Sequence, residues 1–302
     1  AENGERDTKK SSGILCETPG RRVRFAKNEL KEYDTSKVCE LIGVSRSGYY
    51  KARKSSESEE TDVEKAVVHC FKKHDRNYGR IRIRQELLAS GIHASESKIS
   101  RIMKKHGLVA KSGRKGRANP LKSKEPRYIE ENLIKDKFSV KMPNYLWCSD
   151  ITELRYRDGK LYVCGIIDVA TRRIVGWSIN RRQPQTLVQD AFHMAVGRNP
   201  SRPIGAVFHS DQGSQYTALR TKQLVEAAGF RKSMSRPGTP SDNQPIESFW
   251  RTLEAEMPDI GHLSFEDASR VVVRFIELYY NSVRLHSSIG FSSPNAFFTL
   301  LS

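Results

Sequence analysis

NYLWCSDITELRYRDGKLYVCGIIDVATRRIVGWSIN, residues 144–180, carries three apolar, β-branched and aromatic runs separated by two tight-turn signals. Leu146 to Tyr156 reads as a first strand, Asp158 and Gly159 as a turn, and Leu161 to Val169 as a second strand. Thr171 and Arg172 turn the chain again into Ile174 to Ile179. Strands joined by turns this short pair antiparallel, so the stretch is a meander. Downstream the period changes. Gln185 to Val196, behind Pro184, reads as a helix, Ile204 to His209 as a short apolar strand, and Thr217 to Ala228 as an amphipathic helix stopped by Gly229. Phe230 to Met234 is a fifth strand and RPGTPSDN a loop. Pro245 opens a helix where its missing N–H costs nothing, with the stripe Ile246, Phe249, Trp250 and Leu253. A last helix covers Phe265 to Tyr280. This order predicts an α/β fold, a mixed five-stranded sheet with flanking helices, over 141–260, followed by a C-terminal helix and closing segment over 261–302.

Upstream the pattern is helical. Residues 1–30 are mostly polar and read as a disordered leader. Within 31–57, TSKVCELIGVSRSGYYKA places Val38, Leu41 and Ile42 before Gly43, with Ser45 positioned to cap a second helix, the outline of a helix-turn-helix. A second all-α module over 58–110 contains one helix at Arg80 to Ala89, a stop at Gly91, and Ser95 or Ser97 as the cap of the next helix. There Ile99, Ile102 and Met103 form the buried stripe, opposite Lys98, Arg101, Lys104 and Lys105. Residues 111–140, rich in Gly, Pro and cations, read as a basic linker suited to lie along phosphates.

Charge follows the same division. The 302 residues hold 52 Lys and Arg against 35 Asp and Glu, a net +17, of which +13 falls in residues 1–140 and +4 in 141–302. Residues 98–127 alone contain eleven basic side chains and one acid, Glu125. Such a density repels itself unless a polyanion or counterions lie alongside, so nucleic acid is the expected partner. No apolar run reaches membrane-spanning length. The five cysteines, Cys16, Cys39, Cys70, Cys148 and Cys164, form no CxxC pair, which argues against a disulfide framework and a zinc knuckle. A reducing, cytoplasmic setting is expected.

Three acids stand out by position. Asp150 sits inside the first strand among Trp147, Ile151 and Leu154, where a carboxylate loses hydration. Asp211 follows the strand AVFHS, and Glu247 lies in the first turns of the helix behind PGTPSDN. Singly, each has an ordinary explanation: an internal salt bridge, a turn residue, and an acid complementing a helix dipole. Asp168 reads either as a further acid of this group or as the cap of its turn.

Together, with thirty-five residues between Asp211 and Glu247, they resemble the acidic triad of retroviral-integrase-like polynucleotidyl transferases. The words LWCSDITEL, FHSDQGSQYT, SDNQPIESFWRTLEAE and YYNSVRLHSSIGFSSPNAF, in order and spacing, resemble insertion-sequence transposases with an integrase core, specifically the product of the second of two overlapping reading frames. That resemblance spans about residues 30–300. It implies an RNase H-like core in which Asp150, Asp211 and Glu247 hold two Mg²⁺ ions, or Mn²⁺, for phosphodiester cleavage and strand transfer at terminal inverted repeats. It also implies double-stranded DNA as partner, a homo-oligomer on DNA, a role for the first-frame protein, and a nucleoid-associated location. Arg80, Arg82, Arg84, Lys98, Arg101, Lys104, Lys105, Lys111, Arg114, Lys115 and Arg117 are the DNA-contact candidates of the helical half, with Asn243, Arg251, Arg284 and His286 in the core. Where relatives commonly carry a Lys, this chain has Glu254. A catalytically silent DNA-binding regulator and an RNase H-like nuclease are the competing expectations.

Overall fold

The computed structural model describes residues 22–23, 26, 33–50, 62–111, 128–134, 138–237 and 239–301. The expected leader, most of the basic linker, and Arg114, Lys115 and Arg117 within it lie largely or wholly outside them.

Strands β1 (Leu146–Tyr156), β2 (Gly159–Asp168), β3 (Ile174–Asn180), β4 (Val207–Ser210) and β5 (Arg231–Met234) form one mixed sheet in the order β3-β2-β1-β4-β5. The meander is antiparallel, while β4 pairs parallel to β1 and β5 parallel to β4. β1 is therefore central, and its alternate residues enter two cores. Leu146 and Cys148 join one layer with Ile246, Phe249, Trp250 and Leu253 of α7 (Gln244–Glu256) and Val272 of α8 (Phe265–Arg274). Trp147 points the other way, into an aromatic cluster of Phe192, Phe208 and Phe230 beneath α5 (Gln185–Arg198) and α6 (Leu219–Ala227). Burial on both faces explains why these strands read as near-continuous apolar runs. Gly176 makes one such layer possible: a Cβ there would stand 2.2 Å from the Ala191 carbonyl of α5.

The expected strand at Ile204 begins only at Val207, because Pro203 to Ala206 close a turn and Ile204 is fully exposed. The helix expected from Thr217 is interrupted. Ser214–Thr217 form one turn, whose Thr217 hydroxyl bonds Gly213 O, and α6 restarts at Leu219. The last expected helix ends in a π-helical turn, Phe275–Tyr280, and a further helix, α9 (Pro294–Leu301), was not legible.

In the N-terminal half, α1 (Thr35–Leu41) and a helical turn over 46–50 surround a small core of Val38, Cys39, Ile42 and Tyr49. Ser45 Oγ accepts from Gly48 N at 3.1 Å, as a cap should. α2 (Asp62–Lys73), α3 (Arg80–Ala89) and α4 (Glu96–Lys105) bury Val67, Phe71, Tyr78, Ile83, Leu87, Ile99 and Ile102 together. Of the two proposed caps, Ser95 holds α4, accepting from Lys98 N at 3.2 Å. This unit is seated on the sheet domain. Tyr78 Oη donates to Val283 O and accepts from Leu285 N, and Asn77 Nδ2 donates to Glu256 O.

Candidate active site

The parallel pairing of β1 with β4 ends at Ser149 opposite Ser210. Asp150 and Asp211 are each the next residue, so the sheet register delivers two carboxyls side by side where β4 ends against the middle of β1. Glu247, in the first turn of α7, supplies the third. Asp150 registers the cluster electrostatically: burial pushes its carboxyl well up, and the charges of Asp211 and Glu247 push it further. Asp211 is exposed as a residue, yet the atoms around its carboxyl strip enough water to raise it, partly opposed by Gly213 N donating to Oδ1 at 2.9 Å. Glu247 is raised by burial, against the opposing pull of Arg251.

Their placement depends on residues that carry no charge. Gly165 pairs with Asp150 across β1 and β2, and a Cβ on Gly165 would sit 2.8 Å from Trp250 Cη2. The bare backbone therefore lets α7 lie close enough for Trp250 Nε1 to donate to Asp150 Oδ2 at 2.9 Å. Gly213 has a related role, since a Cβ would come within 3.0 Å of Asp211 Oδ1. Beneath the acids, Ser149 and Tyr216 are buried and bonded to each other at 2.8 Å, so neither hydroxyl is presented as a nucleophile. His209 is held between Ser233 and Ser235, and burial lowers it to about 4, leaving the ring neutral.

Asn243 is placed differently from a DNA contact. It is buried and donates to Ser149 O at 2.9 Å, bracing β1 one residue before Asp150. Arg251 is exposed one turn beyond Glu247. Arg284 does not stand on the open surface: it is buried, forks onto Glu256 at 2.7 and 2.8 Å, and turns Nη1 toward the buried His286. Arg82 likewise leans on Glu256, at 3.3 Å. Asp168 is the cap of its turn, accepting from Thr171 N and Oγ1 and Asn144 N, with burial raising it to about 6.

On the helical unit, Arg80, Arg101, Lys104 and Lys105 are exposed, Arg84 and Lys98 half-buried, and Lys111 ion-paired with Asp75. Arg80 touches Glu96 and Lys105 touches Glu64, surface pairs that exchange readily with water. One grouping was missed in sequence. Cys70, His74 and Glu86 bring their ligand-type atoms within 4.8 Å of one another. Lys73 already pairs with Glu86, and burial holds the Cys70 thiol protonated, up to about 12, so the group is an ion-pair cluster beside a neutral thiol.

A mixed five-stranded sheet of this order, with one acid inside its central strand, one just past the adjacent parallel strand and one on the helix packed against them, defines the integrase-core class. The integrase core domain family matches residues 140–240 and again 228–294, and the HTH-like domain family matches 57–116. The transposase for insertion sequence element IS904 of Lactococcus lactis is 37% identical over 234 residues, covering 77% of this chain and 90% of that one. Transposase InsF for insertion sequence IS3A of Escherichia coli is 31% identical over 281 residues, 90% of this chain and 96% of the relative. Among solved structures, the HTLV-2 integrase catalytic core domain in complex with magnesium aligns over 51% of this chain and 94% of that one, at 14% identity and a TM-score of 0.37. The chain belongs to the insertion-sequence transposases built on an integrase core domain.

Proposed function

We propose that the chain cleaves and joins DNA phosphodiesters at the terminal inverted repeats of a mobile element, with Asp150, Asp211 and Glu247 as the metal-holding acids. The observation that carries this reading is the grouping of three carboxyls close enough for Asp211 and Glu247 to push Asp150 up, each of the three also raised by burial. A DNA-binding protein gains nothing from such a group facing phosphate. An all-oxygen, anionic donor set that repels itself fits hard divalent cations such as Mg²⁺ or Mn²⁺, two of them to neutralise three acids. When bound, such ions lower the pKa of an attacking water or 3′-hydroxyl and stabilise the leaving oxygen.

The chain's own residues do the rest. Trp250 fixes Asp150, Gly213 N fixes Asp211, and the exposed Arg251, whose Nε donates to Glu247 O, binds the strand beside Glu247. The exposed cations of α3 and α4 hold the element ends by their phosphates, and joining two ends requires more than one copy on the DNA. The first-frame protein is a further candidate partner.

Incubation of the full chain with Mg²⁺ and a labelled element-end duplex, beside Glu247→Gln, tests this. Nicking and joining by the wild type, with binding but no reaction by the variant, is expected. Binding without reaction by the wild type would leave a silent regulator, and cleavage without joining a nuclease.

A further inference from the structure

A cavity of about 300 Å³ opens where the helical unit, the β2–β3 turn and the closing segment meet α7. Arg82, Arg172, Arg284, His286, Ser287 and Ser288 line it, with Gln244, Pro245 and Ser248 of α7, and no carboxylate is among its lining residues. Arg82 and Arg284 share a single acid, Glu256, behind the wall. Arg172 has none: among the described residues no carboxylate lies within ion-pair distance of it, although it is half-buried. Three arginines thus line one cavity with one carboxylate, Glu256, paired to two of them. Their joint field reaches His286, which burial and then Arg284, Arg82 and Arg172 keep deprotonated.

The turn that presents Arg172 is fixed rather than incidental. Arg172 occupies the left-handed region, φ 62°, which an arginine enters at a cost, and its N–H is tied to Asp168 O at 2.8 Å. Guanidinium groups and hydroxyls around a small polar cavity match the planar, multi-acceptor geometry of a phosphate.

We propose that this cavity is a phosphate-binding site, which takes a backbone phosphate of the DNA whose neighbouring phosphodiester lies at the acids. Its assignment to DNA rests on the function proposed above. Ser248 of the cavity follows Glu247 directly in α7, so cavity and acids occupy adjoining faces of one helix, about 100° apart. One strand can therefore engage both, and the same phosphate would tie the helical unit, through Arg82, to the catalytic layer.

The test uses the full chain and Arg172→Gly, which suits the left-handed turn and so keeps the fold, with Arg172→Lys restoring charge. Inorganic phosphate binding is followed by calorimetry, and element-end duplex binding is measured across a salt series. For the wild type, phosphate binding is expected. In Arg172→Gly it should weaken at least tenfold, and the slope of log affinity against log salt should fall by about one. Arg172→Lys should recover most of the slope. If the wild type binds duplex but not phosphate, and Arg172→Gly leaves the slope unchanged, the site is refuted while the DNA function stands. If the wild type binds phosphate through Arg172 yet binds no duplex, the anion site stands for a free phosphate ligand, and the DNA function is what fails.

Discussion

Asp150 combines two opposing demands. To hold a cation as proposed it must be ionised, yet burial, Asp211 and Glu247 all favour its protonated form. A carboxyl raised in the folded state contributes stability that is complete below its unfolded value, near 3.8 for Asp, and is lost as pH rises through the folded value. The metal-free protein is therefore destabilised at this edge toward neutral pH, as it is by Asp168, raised to about 6. Asp150→Asn removes the repulsion. It is expected to melt a few degrees above the metal-free wild type at pH 7, as about 1 kcal/mol produces in a chain of this size, with the gap closing toward pH 4. Added Mg²⁺ should raise the wild-type Tm and leave the variant unmoved. Thermal melts at the two pH values, with and without Mg²⁺, decide it, and an equal Mg²⁺ shift in both proteins would count against Asp150 as a ligand. Trp250 opposes the same shift by donating to the ionised carboxylate, so Trp250→Phe should move the acid limb of the cleavage profile to higher pH. The three acids were legible because their spacing and neighbouring words are local properties of the chain. Trp250 and Gly165 were not read as their supports, and Asn243, read as orienting Glu247 or touching DNA, braces β1 instead, since each acts through strand register or helix docking that no single stretch encodes.

α7 links the acids at its first turn to Glu256 at its last, and both ends depend on close packing. At the first, Gly165→Ala would drive a methyl into the Trp250 ring, 2.8 Å away. Overpacking of this kind costs about 1–3 kcal/mol, and because it lifts α7 from β1 it should lower the cleavage rate more than duplex affinity. Urea melts and single-turnover assays would report both. At the other end Glu256 accepts from Arg284, Arg82 and Tyr279. Glu256→Ala strands the buried Arg284 and is expected to cost about 3–5 kcal/mol. Arg82→Ala, losing a longer and wetter contact, should cost under about 1 kcal/mol. Comparable losses for the two would mean that the Arg284 pair is not what holds this corner. The elements themselves were largely legible: the bounds of β1 and α3 coincide with the sequence reading because the Asp158–Gly159 turn follows the one and the Gly91 stop the other. The misplaced start of β4 has a physical cause. Ile204 looks like the head of an apolar strand, but Gly205, at φ 78°, makes a turn that leaves it outside the sheet. Likewise α9, rich in Phe and Leu, has only Pro294 fully buried and shows no clean apolar stripe.

The uneven charge of the chain sets how its parts divide the work. Of the net +17, only +4 belongs to residues 141–302, and there several cations are already committed: Arg236 to Asp242, Arg198 to Glu277, Arg284 to Glu256. By contrast, residues 98–127 hold eleven basic side chains against one acid. DNA affinity should therefore reside mainly in the N-terminal half and be strongly salt-dependent. With 6–10 phosphates neutralised, raising salt from about 50 to 200 mM weakens binding by ~10³–10⁵. The fragment 128–302 retains the whole sheet, both of its cores and all three acids. It loses the seat of Tyr78 on Val283 and Leu285, so its Tm should fall. Its Mg²⁺-induced Tm shift should nevertheless persist, because none of the three proposed ligands lies upstream of residue 128. Its duplex affinity should drop by orders of magnitude, and its salt slope should flatten to the few contacts that Arg251 and Arg172 supply. A fragment that kept the full slope would place the DNA-holding surface on the sheet domain instead, and the positive charge of the N-terminal half would then need another partner.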